Sequence, residues 1–155
     1  MRFHKLLPDG SIDESNSPDY FSHLDSNRTR ISAELFEILR FPRDAYESGR
    51  SFYNATIVGW HAARDLTTSE ETLRIDGISA GRHWRWRLSF ADGISLVWPA
   101  GNRDVGVGEI FYVEISVEGD MFGISLVDIL RREFKVECRQ VGFSISDCRA
   151  EFVQH

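Results

Sequence analysis

Residues 84–90 alternate with period two. Trp84, Trp86, Leu88 and Phe90 fall on one side; His83, Arg85, Arg87 and Ser89 fall on the other. A strand sends successive side chains to opposite faces, so this run predicts a strand with one apolar and one solvated face. Asp92-Gly93 follows, a dipeptide suited to the left-handed dihedrals of a type I′ turn. Ile94, Leu96 and Trp98 then resume the inward pattern, and Pro99 ends it, so a hairpin is expected over 82–98. The same alternation returns at 109–118. There Phe111, Val113, Ile115 and Val117 point inward, Tyr112, Glu114, Ser116 and Glu118 outward, and Gly119-Asp120 makes a turn.

Around these runs the rest of the chain reads as further strands and a few helices. Phe52 with Ala55–Trp60, and Leu73 with Ile75 and Ile78, suit strands. Val136, Cys138, Val141, Phe143 and Ile145 suggest two closing strands around Gly142. Ile31, Leu35, Ile38 and Leu39 form one stripe at helical spacing, predicting a helix over 29–40 that Pro42 stops. Ser17-Pro18 can open a short helix, and 43–49 reads as a turn or short helix. Leu126, Val127, Leu130 and Phe134 behind a Ser125-x-x-Asp128 box predict a second helix near 126–134. The fold class is therefore α+β, β-rich, with a mainly antiparallel sheet. With 155 residues the chain is expected to be a single domain, 1–155, with 1–25 as an irregular arm.

Net charge is −6, which argues against broad nucleic-acid binding. No apolar run approaches the roughly 18 residues of a membrane span, and the first residues lack a signal peptide's apolar stretch, so a cytoplasmic location is expected. Cys138 and Cys148 are expected as buried or half-buried free thiols, with a disulfide the minority reading. Sixteen of the 18 basic residues are arginine, whose planar fork suits fixed ion pairs. Residues 101–155 hold six basic and ten acidic residues, so most of the negative charge lies in the last third.

Motifs for catalysis are weak. Gly77-Ile-Ser79-Ala-Gly81 matches a nucleophile elbow, but a strand pattern follows it instead of the required helix, so a plain turn is expected. The Gly101–Gly108 loop lacks the Lys-Ser/Thr ending of a phosphate loop. In Arg82–Arg87 alternation sets the tryptophans opposite Arg85 and Arg87, which separates a core face from a solvated one. His61 with Asp65 and Glu70-Glu71 makes an acid/base set of a kind any chain of this length contains. No metal spacing is present, no cofactor is expected, and no catalytic residue is assigned.

The outward face of 109–118 is the expected binding surface: Tyr112, Glu114 and Glu118, with Asp104, Glu109 and Asp120 at its ends. Tyrosine is enriched at interface cores, and a row of carboxylates complements an Arg/Lys-rich partner. The strand rhythm of Ser51–Trp60 (with Asn54-Ala55 where Asp-Ala is usual), Leu73–Ile75 and Leu88–Ile94 resembles small β-rich immunity proteins of bacterial polymorphic-toxin and contact-dependent inhibition systems. The resemblance covers roughly residues 50–98. It implies a non-enzymatic, cytosolic protein that neutralises a toxin by binding it, with the acidity suited to a basic toxin domain. The alternative is a small ligand-binding domain or enzyme with a pocket near loop 100–108, using His61 or His83 as a polar group, and a blander one is an assembly subunit.

Overall fold

The computed structural model describes residues 1–97 and 108–152. The arm begins with a two-stranded ribbon, β1 (Lys5–Leu6) and β2 (Ile12–Asp13). α1 spans Ser17–Ser26 with Pro18 in its first turn, where a missing N–H leaves no helical bond unmade. After a 3₁₀ turn at Arg28–Arg30, α2 spans Ala33–Arg40, capped by Ser32 accepting the Leu35 N–H. Pro42 ends α2 and opens α3 (Pro42–Glu47). Leu35, Phe36, Ile38 and Leu39 are buried, so the predicted stripe is the face α2 presents to the core.

Strands follow: β3 (Thr56–Arg64), β4 (Glu71–Ile78), β5 (Trp84–Ala91), β6 (Ser95–Val97), β7 (Ile110–Glu118), β8 (Met121–Asp128), β9 (Glu133–Cys138) and β10 (Gln140–Asp147). They form two four-stranded sheets, ordered β10-β5-β4-β3 and β6-β9-β8-β7, and every pairing is antiparallel. The fold is α+β and β-rich, as the alternation predicts. One apolar core joins the inner faces of both sheets to α1, α2 and α3.

The sheets are continuous at a shared corner. β5 pairs with β10, and β6 with β9, so one long two-stranded ribbon runs through both sheets. Between Ala91↔Gln140 and Ser95↔Glu137, three residues on one side oppose two on the other. An extra residue bends a ribbon sharply. Asp92 and Gly93 both take positive φ (64° and 71°), and the Arg139 N–H donates to the Asp92 carbonyl at 2.7 Å. This corrects the expected 82–98 hairpin. The Asp-Gly pair adopts left-handed dihedrals but turns a corner, and β5 and β6 do not pair with each other. At the opposite side the sheets meet through a Thr56↔Glu109 bridge, with Ile110 N–H donating to Ala55 O at 2.7 Å.

The predicted helix at 126–134 is also corrected. Those residues complete β8, turn at Ile129–Arg132 and enter β9. β8 lies between β7 and β9, and Leu126 and Val127 are both buried. A strand covered on both faces loses its period of two and reads like a buried helix. The Asp128 carboxylate closes the turn by accepting from Arg132 N–H (2.9 Å) and Nε (2.7 Å). At the elbow-like motif, the buried Ser79 Oγ accepts the Trp84 N–H at 3.1 Å in a plain turn. Cys138 and Cys148 are free and buried, and burial pushes both thiols up.

Trp86 shows why β4 contains a glycine. Gly77 is its cross-strand partner, and a Cβ there would lie 2.0 Å from Trp86 Cζ2. The indole thus lies flat on bare backbone and meets Phe52 edge-on at 5.2 Å. Gly77→Ala is expected to destabilise the protein by about 1–3 kcal/mol, the usual cost of overpacking. Gly142→Ala, whose Cβ meets Ser89 Cβ at an ordinary 3.7 Å, is expected to be tolerated. Urea denaturation followed by tryptophan fluorescence compares the two; equal stabilities would refute this account of Gly77.

Candidate functional site

The outer face of β7 is not open to solvent. Residues 1–4 cross it, and Glu114 is only 2% exposed. Its carboxylate accepts the backbone N–H groups of Arg2 (2.5 Å), Phe3 (3.2 Å) and His4 (3.0 Å), and His4 Nδ1 at 2.9 Å. The terminal amine of Met1 continues the same seam to Glu133. α1 covers the free edge of β7: Ile115 N–H donates to Tyr20 Oη (3.1 Å) and Val117 N–H to His23 Nε2 (2.9 Å). An uncovered edge is a template for unwanted pairing, and here side chains of α1 occupy it. The bond to His23 needs its neutral ring; burial, then the Arg2 charge, holds the His23 pKa below its ordinary value.

Burial alone would raise the Glu114 pKa. The hydrogen bonds from His4 and from three backbone N–H groups outweigh it, so the carboxyl lies below its ordinary range and is ionised. An ionised carboxylate only accepts, so His4 Nδ1 carries the hydrogen. His4 Nε2 faces Ser17 Oγ at 3.1 Å. The Tyr112 hydroxyl lies beside the same ring, 2.8 Å from Nδ1 and 3.4 Å from Nε2. Burial, with the Tyr20 and Glu114 charges, pushes the Tyr112 phenol well above its ordinary value, so it keeps its hydrogen.

His4, Ser17 and Tyr112 line one end of a cavity of about 380 Å³ between the arm, α1, the α2–α3 corner and the start of β7. Tyr20, Phe21, Phe52, Phe111, Ile38 and Leu39 supply apolar walls. Among the described residues no lysine or arginine lines it, and Glu14 is the one carboxylate that does. A mostly apolar hollow with a few convergent polar groups is the usual form of a small-ligand site.

The sequence-predicted surface is split by this arrangement. Asp104 lies outside the described residues, as does loop 100–108 apart from Gly108. Glu109 and Glu118 are exposed at opposite ends of β7, roughly 30 Å apart at the rise of a strand. Asp120 is exposed but paired with Arg139 at 3.1 Å. Tyr112 is half-buried in the cavity wall and Glu114 is buried beneath the arm, which corrects the expectation of one continuous carboxylate face. His61 lies 3.6 Å from Asp76, not on Asp65, whose carboxylate accepts the Thr67 and Thr68 N–H groups. His83 is exposed. His4 and Ser17 were not singled out by sequence, because the Glu114 that joins them is about a hundred positions away.

A second hollow, about 330 Å³, opens on the far side of α2 and α3 against β10. Ile38, Ala45, Phe41 and Ile145 line it with Ser48, together with the carboxylates Glu34, Glu37 and Asp44 and the cation Arg50, whose guanidinium stacks on Trp84 at 4.4 Å. All three acids are exposed, and none forms an ion pair among the described residues. Phe41 stands 45% exposed beside them. No helix among the described residues is long and apolar enough to cross a membrane. Comparison with protein-family models, curated proteins and solved structures finds no match.

Glu114→Gln is expected to cost about 3–5 kcal/mol, because it removes one partner of a buried charged network. The wild-type carboxylate stabilises the fold fully above its unfolded pKa of about 4.3, and this contribution is lost as pH falls through the lower folded value. Melting temperatures measured from pH 6 to pH 3 should therefore fall more in the wild type than in Glu114→Gln. Parallel curves would show that Glu114 is not the linked group.

Proposed function

We propose that the chain is a binding protein that neutralises a basic toxin domain by direct contact, docking it on the acid-rimmed groove of α2 and α3. The observation that carries this reading is the combination of an apolar floor with three exposed, unpaired carboxylates, Glu34, Glu37 and Asp44. An arginine or lysine on the partner can lay its aliphatic stem on Ile38 and Ile145 and bring its charge to the rim. Phe41 adds the exposed aromatic surface that interface cores favour. The strand rhythm shared with immunity proteins supports the same class of activity, and a cytosolic setting goes with it. The acidic surface of the reading thus moves from β7 to the helical layer.

A tagged chain expressed in its source cells is expected to bring down one stoichiometric basic protein that is lost as salt rises. The double reversal Glu37→Arg with Asp44→Arg should weaken that complex at least roughly tenfold and flatten its salt dependence, since rim charges act on encounter. Equal recovery by the reversed variant, or recovery of an acidic partner, would remove the groove from this role. A second reading, a small-ligand site, is favoured by the cavity beneath the arm.

A further inference from the structure

We infer that Ser17, His4 and Glu114 form a nucleophile, base and orienting group that hydrolyse small uncharged carboxylic esters in the cavity beneath the arm. The three residues come from the arm, the start of α1 and the middle of β7, and they meet in one chain. Glu114 Oε2 lies 2.9 Å from His4 Nδ1, and His4 Nε2 lies 3.1 Å from Ser17 Oγ. Such a site is recognised by geometry and roles, in any chain order. His4 is 2% exposed, and its ring is held between Glu114 at Nδ1 and the serine hydroxyl at Nε2. Here its second nitrogen is spent on a hydroxyl that itself lines the cavity.

The reaction balances with water as the only co-reactant. Ser17 Oγ attacks the ester carbonyl carbon, and its proton passes to His4 Nε2. The carbonyl carbon–alkoxy oxygen bond breaks, and the alcohol leaves with that proton. Water then attacks the acyl-Ser17 ester by the same route, releasing the carboxylic acid and restoring the hydroxyl. The protonated Tyr112 hydroxyl is an O–H donor beside the base, suited to the negative charge that develops on the carbonyl oxygen. The volume of about 380 Å³ and the aromatic walls suit a small acyl or aryl group. With Glu14 as the one carboxylate and no lysine or arginine in the lining among the described residues, anionic esters are disfavoured.

A fluorophosphonate probe and p-nitrophenyl butyrate test this. Intact-mass measurement on the full chain should show one phosphonyl adduct, mapped to Ser17 by peptide sequencing and missing from Ser17→Ala. Butyrate hydrolysis should fall at least ~100-fold in Ser17→Ala, and by a similar factor in His4→Gln. Near-UV circular dichroism checks that each variant is folded. If His4→Gln does not fold, the site of the wild-type adduct decides. No adduct on the wild type, an adduct on another residue, or undiminished hydrolysis by folded Ser17→Ala overturns the inference. The groove on the far side of α2 and α3 is tested by partner recovery, so failure of one reading leaves the other standing.

Discussion

Glu114 is the contact on which the arrangement around β7 depends. One carboxylate in the middle of a strand accepts from three successive backbone N–H groups and one imidazole. Extended residues without a sheet partner otherwise leave their N–H groups to water, which is why chain ends are usually loose. A buried anion with four donors reverses that preference. It holds the arm across β7, sets the His4 ring and, through it, reaches the start of α1. The cavity exists because the arm is held there: its roof carries His4, Ser11 and Ile12, and its floor carries Tyr112 and Val113.

The second constraint is the corner at Asp92-Gly93 and Arg139. Eight strands in one flat sheet would expose one whole face, and the helices are too few to cover it. Bending the β5–β6 and β9–β10 ribbon brings the inner faces together, so Trp86, Leu88 and Phe90 share a core with Ile115, Ile124 and Val136. The Thr56↔Glu109 bridge joins the other side. The helices then pack over what remains. That placement puts α2 between the two hollows: Ile38 lines both, while Glu34 and Glu37 face only the outer one.

Much of this was legible in the sequence, and the failures share a cause. β5 and β7 could be read because each has one wet side in the pattern, and α2 because its stripe is narrow and a proline ends it. β8 could not, because a central strand covered on both faces carries no period. The corner could not, because Asp-Gly specifies dihedrals and not the partner strand; only the pairing with Arg139 distinguishes a bend from a hairpin. The alternation gave the faces of β7 from Val113 to Glu118, whereas at Phe111 a bulge between Ile110 and Tyr112 breaks it and Ile110 takes the core place. It could not reveal that the polar face is covered, since the cover is made by residues 1–4 and by α1, about a hundred positions away.

Counting charge along the chain misled for a related reason. The last third is the most acidic, yet most of its described acids are spent internally. Asp120, Asp128, Glu137, Asp147 and Glu151 each pair with an arginine or lysine, Glu133 with the terminal amine, and Glu114 with the arm. The prevalence of arginine fits this use, because its fork holds a carboxylate in one geometry. The helical segment is the less acidic by count, but Glu34, Glu37 and Asp44 stand outside any ion pair among the described residues. The field a partner meets is set by charge left uncompensated at the surface, not by the total in a stretch of sequence. By that measure the outer face of α2 and α3 is one acidic place on this protein, where three carboxylates border an apolar floor.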